Sequence, residues 1–339
     1  MFCRRLSLEC AVVSPFRIED IFPEITDGSA DLPRRQSGAS PQSLAVTLVA
    51  DYTLRNDTWL PAVALVALLG EFGLSKAAAR VAISRLTRRA VLESYRHGRF
   101  TSYRLTRQAA MELSVGGVGI AAFAAEPESW DGHWTFVTFS MPKEESTRRN
   151  ALRVYLRWHG FAPLYDAVWV SPQPLPPHEL AGLAAEASGA ITVVRARHIP
   201  LGTGADRNPV DAYDVEAVAE RYDIFVRRWS RLLPGIANGS VTGSAAVRAR
   251  TEVMESYRQF PTIDPMLPTQ LMPAHWPRPQ ARDVFIAVYD GLAESAQEHV
   301  RAVAADGPRL DIEAHTVAEM RAGVAEYVSG RTPAPATRT

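Results

Sequence analysis

The sequence has two cysteines in 339 residues, and both lie near its start, at Cys3 and Cys10. A disulfide framework or a cysteine-based zinc site is therefore excluded from the rest of the chain. No apolar run reaches membrane-spanning length, and Glu9 interrupts the apolar start that a signal peptide would need. These absences favour a protein of the reducing cytoplasm that has no membrane partner.

The chain also lacks net charge, because 37 Lys and Arg balance 37 Asp and Glu. No global field can then attract a charged partner, so charge has to be examined locally. The eight histidines are scattered without metal-ligand spacing, and no Ser-His-Asp arrangement is present. We therefore expect no catalytic residue, no metal and no cofactor, and a binding protein rather than an enzyme.

The stretch from Phe72 to Leu105 carries the most specific pattern in the chain. It predicts a helix from Lys76 to about Arg89, with the hydroxyl of Ser75 as N-cap. At 100° per residue, one side of this helix is apolar and the other combines small residues with arginines. The apolar side consists of Ala79, Ala82, Ile83, Leu86 and Ala90. The opposite side consists of Ala77, Val81, Ser84 and Arg88, flanked by Arg80 and Arg85.

The segment after this helix alternates apolar and polar residues, which predicts a β-hairpin with its turn at His97-Gly98. Upstream, Pro61 to Glu71 predicts a second helix, and Phe72 to Leu74 is the turn between the two helices. Leu44 to Ala50 predicts a further helix, and Trp59-Leu60 a short strand that pairs with the hairpin. Helix, turn, helix and basic hairpin is the order of a winged helix-turn-helix domain.

Basic charge is concentrated in this part of the chain, since residues 42–113 contain ten Lys and Arg but five Asp and Glu. Small residues let a helix approach DNA closely, and arginine binds phosphates and guanine edges. Double-stranded DNA is therefore the expected partner, although a solvated arginine face in a domain of another kind stays an open alternative. The predicted DNA-binding residues are Ser75, Lys76, Ala77, Arg80, Val81, Ser84, Arg85, Arg88, Arg96, His97, Arg99 and Arg104.

From Trp130 onward the pattern predicts a second domain with the order β-α-β-α-β, which suggests a ferredoxin-like fold or a close variant. The remainder is helical, with a long helix expected over 280–304 and a last one over 312–328. The predicted fold class is α+β. The expected parts are a flexible N-terminal extension (1–41), a winged helix-turn-helix domain (42–113), a linker (114–129), a ferredoxin-like middle domain (130–205), a helical effector and dimerisation domain (206–328) and a disordered tail (329–339).

Three stretches together carry a resemblance to a known family. They are FGLSKAAARVAISRL, then WDGHWTFVTF followed by LRVYLRWHGFAPLYDAVWVSP, and finally YRQF with DPMLPTQLMPAHWP before a long helix. In their order and spacing the chain resembles the PaaX family, regulators of phenylacetic acid degradation, over roughly residues 43–303. The resemblance implies a homodimeric transcriptional regulator, usually a repressor, in which Arg80, Arg85 and Arg88 lie on the recognition helix and Gly98 on the wing turn.

The resemblance also implies a small-molecule effector, and the best-known inducer in the family is phenylacetyl-CoA. An aryl-acyl group needs an apolar pocket, and a CoA tail needs basic residues. The chain departs from the family pattern at Ala90, where glycine is usual, and at Glu255-Ser256 and Arg278 in the C-terminal half, so the identity of the effector stays open. The candidate effector-binding residues, which solvated faces explain equally well, are Arg153, Arg157, Arg195 and Arg197.

Three other functions stay open. A transcriptional activator could have the same architecture, and so could a constitutive architectural DNA-binding protein, although the latter leaves the C-terminal half without a role. An enzyme acting on nucleic acid or on a CoA thioester is the third. The middle domain is similar in fold to small CRISPR-associated nucleases, but these need a metal-binding carboxylate where this chain has Ser140. The sequence, together with what its resemblance to the PaaX family implies, favours a cytoplasmic homodimeric repressor that an acyl-CoA-type effector releases from its operator.

Overall fold

The computed structural model describes residues 40–56, 58–125, 130–186, 190–202, 206–305 and 311–321. Most of the predicted N-terminal extension and all of the predicted C-terminal tail lie outside these residues. The fold is α+β, as predicted, with helices and two small antiparallel sheets. The chain divides into two units: the first contains the described residues up to Ala125, Tyr222–Thr262 and those from Arg278 on, and the second contains 130–221 and Ile263–Pro277.

The first unit begins with helices that start at hydroxyl caps. The side chains of Ser40, Ser75 and Thr106 accept hydrogen bonds from the backbone N–H of Ser43, Ala78 and Ala109, respectively. The hairpin after the third helix forms a three-stranded sheet with a short strand that precedes the second helix, as predicted, and the second strand of the hairpin lies in the middle of the sheet. The elements are α1 (Pro41–Thr53), β1 (Leu60–Pro61), α2 (Ala62–Glu71), α3 (Lys76–Arg88), β2 (Leu92–His97), β3 (Phe100–Leu105) and α4 (Arg107–Ala122).

Two details of this region differ from the sequence predictions. His97 pairs directly with Phe100, so the hairpin turn is the two residues Gly98 and Arg99 rather than His97-Gly98. Gly98 has a φ of 58°, a left-handed conformation that glycine adopts without strain. Helix α4 continues through its glycines to Ala122, so most of the segment expected to be a linker is helical.

The second unit contains β4 (Trp134–Ser140), α5 (Ser146–Trp158), β5 (Ala162–Tyr165), β6 (Val168–Ser171), α6 (Pro177–Glu186) and β7 (Ala190–Ala196). Its four strands form an antiparallel sheet of order β5-β6-β4-β7. The predicted β-α-β-α-β order therefore missed β5, which is only four residues long. Val137 and Trp169 on one face of the sheet pack against Leu152 and Leu156 of α5, and Trp134 is buried in a second cluster.

The C-terminal part is helical. It consists of α7 (Val215–Trp229), α8 (Leu233–Ala237), α9 (Gly243–Tyr257), α10 (Phe260–Ile263), α11 (Arg278–Gly291), α12 (Ala293–Val303) and a helical turn at 317–321. The long helix predicted over 280–304 is wrong, because the chain breaks it at Leu292 into α11 and α12. The spacing of apolar residues gives no sign of this break, because Val288 before it, Leu292 at it and Ala296 after it are all buried.

Candidate nucleic-acid interface

Helix α3 is fixed to the first unit by its apolar side. Ala79, Ala82, Ile83 and Leu86 are buried, and the helix packs against α1 and α2. These four positions recur at helical spacing, so burying them turns the opposite side to solvent. The predicted apolar side is therefore correct except for Ala90, which is exposed and lies beyond the end of the helix.

The solvent side of α3 presents every residue that the sequence assigned to it. Val81, near its centre, is 50% exposed. Arg80, Arg85 and Arg88 form no ion pair within the described part of the chain, so their guanidinium groups are available to a ligand. Ser75 caps the helix and points at the N–H of Ala78, 3.1 Å away. The exposed predicted residues of this helix and its cap are Ser75, Lys76, Ala77, Arg80, Val81, Ser84, Arg85 and Arg88.

The hairpin adds a second group of cations. Arg96, His97 and Arg99 are exposed at its tip, and Arg96 Nε donates to the Gly98 carbonyl oxygen at 3.3 Å. Arg104 differs from these, because its Nε lies 2.5 Å from Oε1 of Glu93. Its guanidinium also covers the Trp59 ring at 4.5 Å. Arg104 therefore connects the hairpin to the segment before β1, and less of it faces solvent.

Sequence reasoning missed two exposed aromatic residues on this hairpin, Tyr95 and Phe100. Tyr95 is 55% exposed and Phe100 is 52% exposed. The strand pattern could have indicated that they share a face, because positions two apart on a strand lie on the same side and His97 pairs across to Phe100. The candidate DNA-binding surface therefore contains aromatic side chains as well as arginines.

Of the four candidate effector arginines, Arg153 and Arg157 lie on α5, Arg195 lies on β7 and Arg197 directly follows β7. No described contact joins the α5 pair to the other two. Arg195 Nη2 lies 2.8 Å from both carboxylate oxygens of Asp131, a hydrogen bond that lowers the pKa of that carboxyl group. Arg157 covers the Trp169 ring at 5.5 Å, and Arg197 is exposed. Arg153 lines an open groove of about 480 Å³ together with Ser146, Thr147, Arg149 and Asn150.

A buried ionic cluster joins the first helix to the C-terminal helices, and no sequence pattern indicated it. Glu255 of α9 accepts hydrogen bonds from Ser43 Oγ at 2.9 Å and from Thr47 Oγ1 at 2.6 Å. Arg258 Nη2 donates to Glu255 at 2.8 Å and to Ser43 Oγ at 2.7 Å. All four side chains are buried in the first unit. Glu255, which departs from the family pattern, is thus a structural link to α1.

A second buried cluster surrounds Arg250, which lies five residues before Glu255 on α9. Arg250 is fully buried, donates to the carbonyl oxygens of Tyr289 and His315, and covers the Tyr289 ring at 3.6 Å. Tyr289 donates its hydroxyl to Asp51 Oδ1 at 2.8 Å and lies 3.2 Å from His315 Nε2. Burial raises the pKa of Asp51 to about 6 and lowers the pKa of His315 to about 3.

The residues that the structure describes also bear on the expectations about a metal site, a nuclease and a membrane partner. They contain no group of three or more His, Cys, Asp and Glu that could hold a metal ion. Ser140 is the last residue of β4, so this strand ends in a hydroxyl rather than a carboxylate. No helix in this part of the chain is long and apolar enough to cross a membrane.

Family models match three consecutive parts of the chain. Residues 40–109 match "PaaX-like protein", residues 127–207 match "PaaX protein central Cas2-like domain", and residues 213–302 match "PaaX-like protein C-terminal domain". The chain is 28% identical over 256 residues to the transcriptional repressor PaaX of Escherichia coli (strain K12), covering 71% of this chain and 76% of that protein. The uncharacterised protein Rv0674 of Mycobacterium tuberculosis matches with a TM-score of 0.49 and 20% identity, over 77% of this chain and 98% of that one.

Proposed function

Because the chain belongs to the PaaX family, we propose that it is a DNA-binding transcriptional repressor and not an enzyme. The observation that carries the proposal is the solvent side of α3. Three arginines without ion pairs in the described part surround small residues there, on a helix whose other side is buried. Such a helix can enter the major groove, where arginine binds both edge acceptors of guanine.

The proposal includes the arrangement of the domains. Helices α2 and α3, their short turn and the β2–β3 hairpin act as a winged helix-turn-helix, in which α3 is the recognition helix and the hairpin is the wing. The second unit acts as a ferredoxin-like domain. Its strand order and its alternation of strands and helices support that assignment. The effector and dimerisation functions belong to the chain beyond Trp130.

The repressor acts in the cytoplasm as a homodimer on a palindromic operator, with half-sites one or two helical turns apart. An acyl-CoA-type molecule, similar to phenylacetyl-CoA, releases it. Within the second unit, Arg153 is the best placed of the four candidate arginines for the phosphates of such a ligand, because it shares its groove with Arg149. Arg195 is the least available, since Asp131 and Thr135 already bind its guanidinium.

Two experiments, done one after the other, test the proposal: a selection of bound DNA duplexes and a titration with candidate effectors. The full-length protein is incubated with a library of random 30-base-pair duplexes, and bound duplexes are amplified and sequenced. We expect an enriched palindromic motif that binds with nanomolar affinity at physiological salt. Phenylacetyl-CoA, phenylacetate and CoA are then titrated against the complex. Release by the thioester alone supports the effector, whereas enrichment of no motif would contradict the repressor itself.

A further inference from the structure

One face of the β2–β3 hairpin carries aromatic side chains. The proposed contact of α3 with base edges in the major groove does not involve them. Tyr95, His97 and Phe100 share this face, because His97 pairs with Phe100 and Tyr95 lies two residues before His97. Trp59 extends it toward the base of the hairpin, with its ring centroid 5.6 Å from that of Tyr95. We call Trp59, Tyr95, His97 and Phe100 the aromatic face.

Cations cover both ends of the aromatic face. The Arg104 guanidinium lies over Trp59 at 4.5 Å, and the Arg99 guanidinium lies over Phe100 at 5.1 Å. Arg96 and His97 add basic groups at the tip, and the sequence has no Asp or Glu between Ser94 and Thr106. Glu93 lies on the same face but at the base of the hairpin, where its carboxylate pairs with Arg104. The tip around Phe100 therefore combines exposed rings and cations without a carboxylate, and it complements a polyanion that offers stacked bases, which is a nucleic acid.

Phe100 has the position of a wedge. It is the first residue after the two-residue turn, so it lies at the end of a hairpin arm that extends about 20 Å, at roughly 3.3 Å per residue over six residues. The ring is half exposed, and an apolar side chain that stays in contact with water does not stabilise the isolated protein. Apolar side chains of this size enter the minor groove between base steps in architectural DNA-binding proteins and kink the duplex.

We propose that Phe100 enters the minor groove of the bound duplex, unstacks one base step and bends the DNA, while Arg96 and Arg99 hold the flanking phosphates. This inference rests on the proposed function, since it describes what the wing does when α3 occupies the adjacent major groove. Part of the operator specificity then comes from how easily one base step deforms, although no side chain binds the edges of its bases. A flexible pyrimidine–purine step is therefore the sequence that the wedge selects.

The test compares four full-length proteins on a duplex enriched with the wild type: wild type, Phe100→Ala, Phe100→Leu and Tyr165→Ala. Tyr165 is the matched control, because it is also 52% exposed and has the Arg207 guanidinium over its ring at 5.8 Å, but lies in the second unit. Bending is measured by energy transfer between dyes at the two ends of the duplex. Unstacking is measured by the fluorescence of 2-aminopurine placed at successive adenines.

We expect wild type, Phe100→Leu and Tyr165→Ala to bend the duplex and to raise 2-aminopurine fluorescence at one step. Phe100→Ala should lose most of both signals and bind about tenfold more weakly, with an unchanged melting temperature. Equal bending by Phe100→Ala and wild type would overturn the wedge and leave the repressor intact, whereas failure to enrich any duplex would overturn the repressor. Sedimentation of Phe100→Ala as a smaller species than wild type would also overturn the wedge, because the face would then join two copies of the chain.

Discussion

Thr47 of the first helix donates a 2.6 Å hydrogen bond to Glu255, more than two hundred residues later in the chain. Both side chains are buried, and Ser43 and Arg258 complete the cluster. A carboxylate that is removed from water needs such partners, because a buried charge without them is strongly destabilising. The C-terminal helix α9 is therefore attached to the N-terminal helices through a specific ionic contact as well as through apolar packing.

We expect Glu255→Ala to destabilise the protein by about 3–5 kcal/mol, because it leaves Arg258 buried beside two hydroxyl groups that have lost their acceptor. Urea denaturation followed by circular dichroism measures the change. Glu252→Ala is the matched control on the same helix. Glu252 pairs with Arg228 at the surface, so its loss should cost about 1 kcal/mol or less. Equal costs for the two variants would contradict the role of the buried cluster.

His315 predicts a pH dependence of stability. Its pKa is lowered to about 3 by burial first, and then by the charges of Arg250 and Arg55. A group with a depressed pKa contributes stability that is present above its unfolded pKa of about 6.5 and is lost as the pH falls toward 3. The stability advantage of wild type over His315→Gln should therefore shrink by about 2 kcal/mol between pH 7 and pH 4.5. Urea titrations at several pH values measure it.

Asp51 lies in the same cluster, and its effect on stability should change with pH in the opposite direction, so it serves as the control. Its pKa is raised to about 6 by burial, against the lowering effects of Arg250 and of the Tyr289 hydroxyl. Its contribution is therefore greatest below about pH 3.8 and declines as the pH rises through 6. The advantage of wild type over Asp51→Asn should accordingly grow on acidification from pH 7 to pH 4.5. A change of the same sign in both variants would contradict these assignments.

Ala90 occupies a left-handed backbone position at the end of α3. Its φ is 54°, and the Val91 N–H closes the helix by donating to the Leu86 carbonyl oxygen at 3.0 Å. An L-residue with a Cβ is strained there, so Ala90→Gly should stabilise the protein by about 1 kcal/mol. Ala287→Gly, at an exposed position inside α11, should instead destabilise it by about 1 kcal/mol. Thermal unfolding of both variants measures these changes in stability. A loss of stability in Ala90→Gly would contradict the prediction.

The arginines of α3 should carry operator affinity. Arg80→Ala and Arg85→Ala should each weaken binding to the enriched duplex by about 1–3 kcal/mol if each guanidinium binds a guanine edge, with a much smaller effect on random DNA. Gel-shift titrations at fixed salt measure both. Arg227→Ala is the control, since Arg227 is an exposed arginine on α7, in the same unit but outside the predicted DNA-binding residues. A folded double variant of Arg80 and Arg85 with wild-type affinity would exclude α3 as the recognition helix.

Sequence patterns predicted the parts of this fold that local chemistry determines. Helix α3 has a cap at Ser75 and a clear apolar period, so its bounds and its exposed side followed from neighbouring residues alone. The break at Leu292 could not be predicted, because the apolar period continues across it. The contact between Thr47 and Glu255 was also out of reach, since it depends on the pairing of two helices far apart in the chain.

The last prediction concerns the N-terminal helices without their C-terminal partners. Every residue of α1 from Ser43 to Thr53 is buried, and we do not expect a small domain of the four helices α1 to α4 to bury a whole helix by itself. The C-terminal part contacts α1 through further polar groups, since the Tyr289 hydroxyl donates to Asp51 at 2.8 Å and the Glu313 N–H donates to the Tyr52 carbonyl oxygen at 3.3 Å. It also contacts α2, where His299 lies 2.7 Å from Glu71.

A fragment of residues 40–125 would expose these surfaces and leave the hydroxyls of Ser43 and Thr47 facing solvent on an apolar helix. We therefore expect it to lack a cooperative urea transition and to bind a dye specific for exposed apolar surface, although the full chain unfolds cooperatively. Circular dichroism and dye fluorescence measure the two properties. A sharp transition in the fragment would contradict this expectation and would mean that the DNA-binding helices fold without α9, α11 and α12. Absence of a transition would mean that the packing of α1, and through it of α3, depends on the C-terminal helices.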